Sequence, residues 1–190
     1  MLILDEFLEE LNIEKEISID EFPEIDLYMD QVIQLFEKKL SGAKRNEEEK
    51  IITKTMINNY AKAGLFFPVK NKKYTKEHLI MISLIYQLKG VLSINDIKYT
   101  LGEINNRINE EDFDLYHFYH SYQKLIYSNV EHFKEHIHKK KEEINDELKS
   151  NSINNSEELK RQLLIAALTN MSNLYKRAAE KLIDEIVENE

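Results

Sequence analysis

The sequence predicts an all-α protein, and three observations support this prediction. Apolar residues recur at helical spacing along much of the chain. Several of these repeats begin after a serine or threonine N-cap and end near a glycine. Between about residues 112 and 148 the chain contains neither glycine nor proline, which indicates one long helix.

The composition excludes several classes of protein. The chain has no cysteine, so it can form neither disulfides nor thiolate metal sites. Met1 leads into acidic residues rather than into the basic segment of a signal peptide. The longest apolar run, Leu79 to Leu88, is too short to cross a bilayer. We therefore expect a soluble cytoplasmic protein without a membrane partner.

The N-terminal segment, residues 1–22, is predicted to be an acidic amphipathic arm. Within it, residues 2–12 place apolar side chains on one side of a short helix and acids on the other. Exposing this apolar stripe would lower solubility, so packing onto the rest of the chain is favoured over binding to a partner. The apolar side chains are those of Leu4, Phe7, Leu8 and Leu11.

A second helix is expected to start at Pro23 and to run to about Leu40, because proline suits the first turn of a helix. Its apolar stripe includes Ile25 and Tyr28 near the start. The polar residues 41–50 that follow are predicted to form a solvated connector.

A third predicted helix, residues 53–63, has one apolar face and one polar face. Thr53 is its N-cap, and Gly64 stands where a helix stops in a left-handed turn. Apolar side chains from Met56 to Ala61 fall on one face at helical spacing. The opposite face carries side chains that can form hydrogen bonds, from Thr55, Asn58, Asn59 and Lys62.

A basic turn and two further helices complete the predicted module. The segment from Pro68 to Tyr74 is long enough only for a turn or a very small hairpin. Thr75 caps a helix over residues 75–89 that is apolar almost all round and should be the buried centre. A short helix with a polar face, a basic wing at 68–74 and a supporting core helix predict a winged helix-turn-helix domain over residues 23–104.

The last helix of this domain has both of its ends marked in the sequence. Ser93 and Asp96 have the spacing of a capping box, and Gly102 is expected to end the helix.

Residues 105–190 are predicted to form a helical extension that serves dimerisation or effector binding. The long helix over 112–148 is followed by a polar loop at 149–155 and by a last helix that Asn155 or Ser156 caps and that runs to about Val187. Apolar residues repeat along the last helix in a coiled-coil-like seam. Such a hairpin packs against itself, against a second subunit, or both, and we expect a homodimer through the C-terminal helices. The seam residues are Leu164, Leu168, Met171, Tyr175, Ala178, Leu182 and Ile186.

The run from Met56 to Leu65 resembles the recognition-helix signature of MerR-like regulators. In that family an isoleucine or leucine, an arginine, two tyrosines and a Gly-Leu pair occur in this order, and Asn58 stands here in the place of the arginine. The segment from Pro68 to Tyr74 is similar to the wing of the family, and the segment from Leu84 to Ile97 to its next two helices. The resemblance implies double-stranded DNA as the partner and a role in transcription.

A second resemblance covers a longer stretch, from about residue 25 to residue 105. This stretch resembles an uncharacterised bacterial family that carries the motifs TKTMINNY…GLxxPxxxKKY and LSINDI. No activity follows from this resemblance.

The charge distribution supports a nucleic-acid partner for one part of the chain. The net charge of the whole chain is −9, which by itself disfavours contact with phosphates. Residues 51–101, however, carry eight lysines against Glu77 and Asp96, a local charge of +6. The candidate DNA-binding residues are Thr53, Lys54, Thr55, Asn58, Asn59, Lys62, Lys70, Lys72, Lys73, Tyr74 and Lys76.

Other chemistries have less support in the sequence. The histidine pairs His117/His120 and His132/His136 lack the HExxH order of a zinc protease, so solvated helix histidines are favoured over a metal site. No phosphate loop, nucleophile motif or cofactor signature occurs, so we expect a protein that is not an enzyme. The alternative to DNA binding is a protein-interaction adaptor that uses the acidic arm and the aromatic hairpin. A small molecule or a protein remains open as an effector.

Overall fold

The computed structural model describes residues 4–14, 16–109, 113–150 and 156–189. These residues form seven α-helices and one small sheet, so the prediction of a mainly helical protein is confirmed. The helices are α1 (Leu4–Glu10), α2 (Met29–Leu40), α3 (Lys54–Ala63), α4 (Lys76–Leu88), α5 (Ile94–Asn109), α6 (Leu115–Ser150) and α7 (Glu157–Glu188). The strands β1 (Leu27–Tyr28) and β2 (Lys73–Tyr74) pair antiparallel, with Leu27 opposite Tyr74 and Tyr28 opposite Lys73.

The chain folds as two compact units. The larger unit comprises Lys15–Lys124 and Glu180–Glu190, and the smaller comprises Met1–Glu14 and Leu125–Ala179. Helices α6 and α7 each contribute residues to both units. None of the helices in the described ranges has both the length and the apolar character that crossing a membrane requires.

Helix α4 is the centre of the larger unit. Eight consecutive residues, from His78 to Ile85, are buried, and they include side chains on every face of the helix. Residues of α2, α3 and α5 pack around them, among them the fully buried Phe36 and Ile57. The prediction that this helix forms the buried centre is therefore confirmed.

The start of α2 differs from the prediction. The helix begins at Met29 rather than at Pro23, because Leu27 and Tyr28 form strand β1. The amide of Tyr28 donates to Gln31 Oε1 at 2.8 Å, which caps the helix at this point. Ile25 is 70 % exposed and therefore does not belong to the apolar stripe of this helix.

Helix α5 passes through Gly102, which was expected to end it. The capping box at its start is confirmed, since the Ser93 amide donates to Asp96 and the Asp96 amide donates to Ser93 Oγ. Beyond the glycine, Ile104 and Ile108 pack against the same core as the buried Leu101. This burial outweighs the cost of about 1 kcal/mol that a glycine imposes inside a helix. The predicted domain boundary at residue 104 therefore falls within a helix.

Helix α6 is anchored to the larger unit by its first turns. Tyr119 is almost completely buried, and its hydroxyl lies 2.8 Å from the carbonyl of Ile17 and 3.0 Å from Ser83 Oγ. Gln123 donates a second hydrogen bond to the same Ile17 carbonyl. Of the aromatic residues in this part of the chain, Tyr119 is therefore part of the core, whereas Tyr127 is exposed.

In the smaller unit, α1 packs onto the hairpin of α6 and α7. Leu4 and Leu8 are buried with Ile137, and Phe7 packs against them, which confirms that most of the apolar stripe of the arm packs within this unit, whereas Leu11 is exposed. Ile144 and Leu148 of α6 pack against Leu164 of α7. The predicted bounds of α6 and α7 agree with the structure to within a few residues, and residues 112 and 151–155 lie outside the described ranges.

The predicted seam along α7 is buried over part of its length. Leu164 is buried and Leu168 packs against the apolar clusters of the hairpin. Farther along the helix, Tyr175 is 72 % exposed, Leu182 is 63 % exposed and Ile186 is 42 % exposed. The second half of the seam is thus largely exposed, and Leu182 and Ile186 line a surface pocket together with Tyr99 and Glu103 of α5.

His78 makes the stability of the larger unit depend on pH. His78 is 2 % exposed, and its ring packs against Phe67 with 4.0 Å between ring centroids and a tilt of 44°. Burial lowers the pKa of this imidazole below the usual 6.5, although the charges of Glu77 and Asp26 oppose the shift. The folded state therefore holds His78 neutral, while the unfolded chain takes up a proton as the pH falls below about 6.5.

We expect the free energy of unfolding to decrease as the pH is lowered from 7.5 to 5.5. The decrease should be smaller in His78→Gln. Nδ1 of His78 accepts the Thr75 amide at 3.1 Å, and a glutamine can keep this capping bond without titrating. Each unit of pKa depression corresponds to about 1.4 kcal/mol. Urea unfolding at several pH values measures the difference. His120→Gln, at an exposed position, is the control and should keep the wild-type slope.

Candidate nucleic-acid interface

Helix α3 carries the polar surface that the sequence predicted. Its N-cap is Thr53, whose hydroxyl accepts the Met56 amide at 3.2 Å, and its C-cap is Gly64 in the left-handed conformation with φ of 71°. Ile57 and Tyr60 are buried and fix the helix to the core. Five polar side chains on the other side are exposed, from Lys54, Thr55, Asn58, Asn59 and Lys62.

The segment predicted to be a wing, residues 68–74, contains a tight turn. The Lys73 amide donates to the Lys70 carbonyl at 3.0 Å, and these two residues form an antiparallel bridge. The two residues between them, Asn71 and Lys72, have φ values of 52° and 60°. Two positive φ values are the pattern of a type I′ turn, which matches the twist of the strands it joins. The turn places Lys70, Asn71 and Lys72 in exposed positions at the tip.

The lysines of α3 and of the wing tip differ from several other lysines of this chain in that they form no ion pair among the described residues. Among the described residues, no carboxylate forms an ion pair with Lys54, Lys62, Lys70 or Lys72. By contrast, Lys39, Lys44 and Lys134 each pair with a glutamate. Four uncompensated cations at exposed positions can bind phosphates without first breaking an internal salt bridge.

The structure corrects the roles of two predicted contact residues. The Tyr74 ring is 3 % exposed and packs against Phe66 and His78, so it supports the wing from inside and cannot touch a backbone phosphate. Lys76 pairs with Glu24, and its ammonium group lies 5.5 Å from the centre of the Tyr116 ring. Local sequence gave no sign of these contacts, because Glu24 and Tyr116 are distant along the chain.

Two other predicted residues have partly structural roles. The hydroxyl oxygen of Thr53 caps α3, which leaves its hydrogen for an outside acceptor. Lys73 is half-buried, and its Nζ lies 5.7 Å from the centre of the Tyr28 ring. Tyr28 was predicted to lie in the stripe of α2, and instead it supports the wing across the sheet. Only pairing between β1 and β2 reveals this role.

The turn at the wing tip is strained at Lys72. A residue with a Cβ loses about 1–2 kcal/mol in the left-handed region, whereas asparagine at Asn71 tolerates it better. We expect Lys72→Gly to raise the free energy of unfolding by about 0.5–1 kcal/mol after the entropy cost of glycine. Urea unfolding measures this change. Asn71→Gly is the control, and a gain there equal to that of Lys72→Gly would contradict the strain assigned to the lysine.

Groups for other chemistries are not assembled in the described ranges. No cluster of three histidine, aspartate or glutamate side chains there is placed to hold a metal ion. His117 lies 2.7 Å from Asp114 as a local pair at the start of α6.

The candidate interface falls within a recognised family of sequences. A family model described as "Domain of unknown function (DUF1836)" matches residues 17–122, which is more than half of the chain. The chain belongs to this family. A search of curated proteins finds no match, and neither does a search of solved structures.

The DUF1836 match gives a boundary to the part of the chain that carries the interface. It begins where Ile17 contacts Tyr119 and ends just after Tyr119 in the first turns of α6. It includes α2 to α5, both strands and every candidate DNA-binding residue. The sequence-based resemblance to an uncharacterised bacterial family is in accord with this match. Helices α1 and α7 lie outside the matched range.

Proposed function

We propose that this DUF1836 protein is a DNA-binding transcriptional regulator with a MerR-like winged helix-turn-helix domain. The observation that carries the proposal is the set of exposed, unpaired lysines on α3 and at the wing tip, together with the exposed Asn58 and Asn59. Residues 51–101 carry a local charge of +6 in an otherwise acidic chain, and such a charge favours binding to the phosphates of a DNA backbone.

In this proposal α3 enters the major groove. An α-helix with its side chains is about 10–12 Å in diameter, and the major groove is about 12 Å wide, so the ten-residue α3 can lie in it with its polar face toward the bases. A carboxamide can pair bidentately with adenine, which makes Asn58 and Asn59 the base-reading residues. Thr53, Lys54, Thr55 and Lys62 then contact phosphates near the two ends of the helix.

The wing binds the backbone beside the groove. Lys70 and Lys72 at the tip supply the charges. Lys73, whose ammonium group lies over the Tyr28 ring, adds a further positive charge beside them. The short turn and the pairing with β1 limit the freedom of the tip, which lowers the entropy cost of binding.

The proposed regulator is a homodimer through its C-terminal helices. The exposed second half of the α7 seam, represented by Tyr175, Leu182 and Ile186, is apolar surface that a second copy can cover. A dimer would present two reading helices to two half-sites, about one or more helical turns of DNA apart.

The proposal is tested by selecting bound fragments from a random DNA library and then measuring mobility shifts at two salt concentrations. We expect a recurring sequence that contains adenine, and a shift that salt weakens. Asn58→Ala should lower affinity for that sequence about 5- to 100-fold and relax the preference at one position. Asn173→Ala, an exposed asparagine on α7, is the matched control and should bind as the wild type does.

A protein-interaction adaptor is the second candidate, and the same exposed apolar residues of α7 favour it. An adaptor would recover no recurring DNA sequence and would give no salt-dependent shift. The selection therefore separates the two functions.

A further inference from the structure

A small cavity lies within the smaller unit, among α1, α6 and α7. Its volume is about 60 Å³. One side is apolar and is formed by Leu4, Ile144 and Leu164, each less than a tenth exposed. The three residues come from three different helices, so whatever fills the cavity touches all of them.

The charged part of the lining is mostly cationic. Lys141, Lys160 and Arg161 belong to it, and among the described residues its carboxylate is that of Glu157. Lys160 Nζ lies 2.9 Å from Glu157 Oε1, so this glutamate offsets one cation. Lys141 forms no ion pair among the described residues, and Arg161 lies 3.8 Å from Glu158, beyond hydrogen-bond distance.

Two of these cations also act on Glu157. The pKa of Glu157 is lowered by its hydrogen bond with Lys160 and also by the charges of Lys160 and Lys141, which lie on different helices. Asn145, one helical turn after Lys141, adds an amide that can donate a hydrogen bond into the cavity.

We propose that this cavity binds a short-chain carboxylate. One water needs about 10–15 Å³ of such volume, so the cavity has room for about four to six small groups. Acetate, propionate and butyrate have that size. The carboxylate accepts hydrogen bonds from Lys141, Lys160 and Asn145, while the alkyl tail lies on Leu4, Ile144 and Leu164.

Binding would join α1 to the α6–α7 hairpin. Leu4 is the contribution of α1 to the cavity, and α1 is a helix of seven residues whose other apolar contacts come from Phe7 and Leu8. A ligand that touches all three helices stabilises the arrangement in which α1 is packed. This inference does not depend on DNA binding, because no candidate DNA-binding residue lines the cavity.

The test uses amide and methyl NMR shifts of the full chain titrated with propionate. Propionamide has the same shape without the charge, hexanoate has a tail too long for the cavity, and inorganic phosphate has charge without a tail. We expect propionate to shift the signals of Asn145, Leu4 and Leu164, and the other three compounds to bind at least about tenfold more weakly. An equal response to propionamide would overturn the charge requirement, and an equal response to phosphate or hexanoate would overturn the alkyl pocket.

Two variants locate the site. Lys141→Gln should weaken propionate binding about tenfold, and Lys139→Gln, an exposed lysine of the same helix with the same change in charge, should not. Asn145→Leu adds volume at a half-buried position without changing charge, so it should weaken butyrate more than acetate. Wild-type affinities in both Lys141→Gln and Asn145→Leu would place any binding elsewhere and end the proposal. The same spectra report whether each variant is folded.

Discussion

Replacing Lys70 and Lys72 together by glutamate is expected to lower DNA affinity about 100-fold or more at moderate salt. Each lysine is proposed to make one charge-assisted contact with a phosphate, worth about 1.5–3 kcal/mol, and glutamate adds repulsion. Both residues are exposed and lack a carboxylate partner among the described residues, so the fold should lose little. Mobility shifts or fluorescence anisotropy on a selected fragment measure the effect.

The salt dependence shows whether the wing itself is responsible. Changing both lysines to glutamine should reduce the slope of log affinity against log salt by about two, because two fewer counterions are released. The control replaces two exposed lysines of α6, Lys124 and Lys139, by glutamate, which changes the net charge by the same amount. If this control binds DNA as weakly as the wing variant, the effect is one of total charge and the wing assignment is wrong.

Ile85→Ala is expected to destabilise the larger unit by about 2–5 kcal/mol. Ile85 is fully buried in α4, so its removal leaves a cavity that the surrounding helices fill only in part. This loss is a large fraction of the 5–15 kcal/mol that stabilises a typical domain. Urea unfolding followed by circular dichroism measures the change through the midpoint of the transition.

The matched control for Ile85→Ala is Ile94→Ala. Ile94 lies in the first turn of α5 and is 45 % exposed, so the same chemical change should cost less than about 1 kcal/mol. A loss at Ile85 no greater than the loss at Ile94 would show that α4 is not the centre of the core. The DNA affinity of folded Ile85→Ala should stay close to that of the wild type, since the proposal assigns no DNA contact to α4.

The helices that contain strong local signals were predictable from the sequence. Thr53 and Gly64 mark the two ends of α3, because a threonine hydroxyl can cap the first amides and a glycine can adopt a positive φ. The buried character of α4 follows from its uniform apolar composition. The polar face of α3 follows from helical periodicity alone, and with it most of the candidate interface.

Other features depended on residues that are far apart in the chain. Proline at position 23 is compatible with a helix start, yet pairing of Leu27 with Tyr74 holds the following residues as a strand. Gly102 is compatible with a helix stop, yet burial of Leu101 and packing of Ile104 carry α5 through it. In both places a tertiary contact outweighs a local preference, which at Gly102 is about 1 kcal/mol.

The sequence by itself determined where most helices lie, which face of α3 is polar and where the spare positive charge is concentrated. Only the tertiary structure decided that Tyr74 is inside, that Lys76 is paired with Glu24, and that no carboxylate of the described residues pairs with the lysines at the wing tip. The physical reason is the separation along the chain over which each interaction acts. Capping and helical periodicity involve residues only a few positions apart, so they can be read directly from the sequence. Burial and ion pairing depend on which distant segments meet, and folding brings them together.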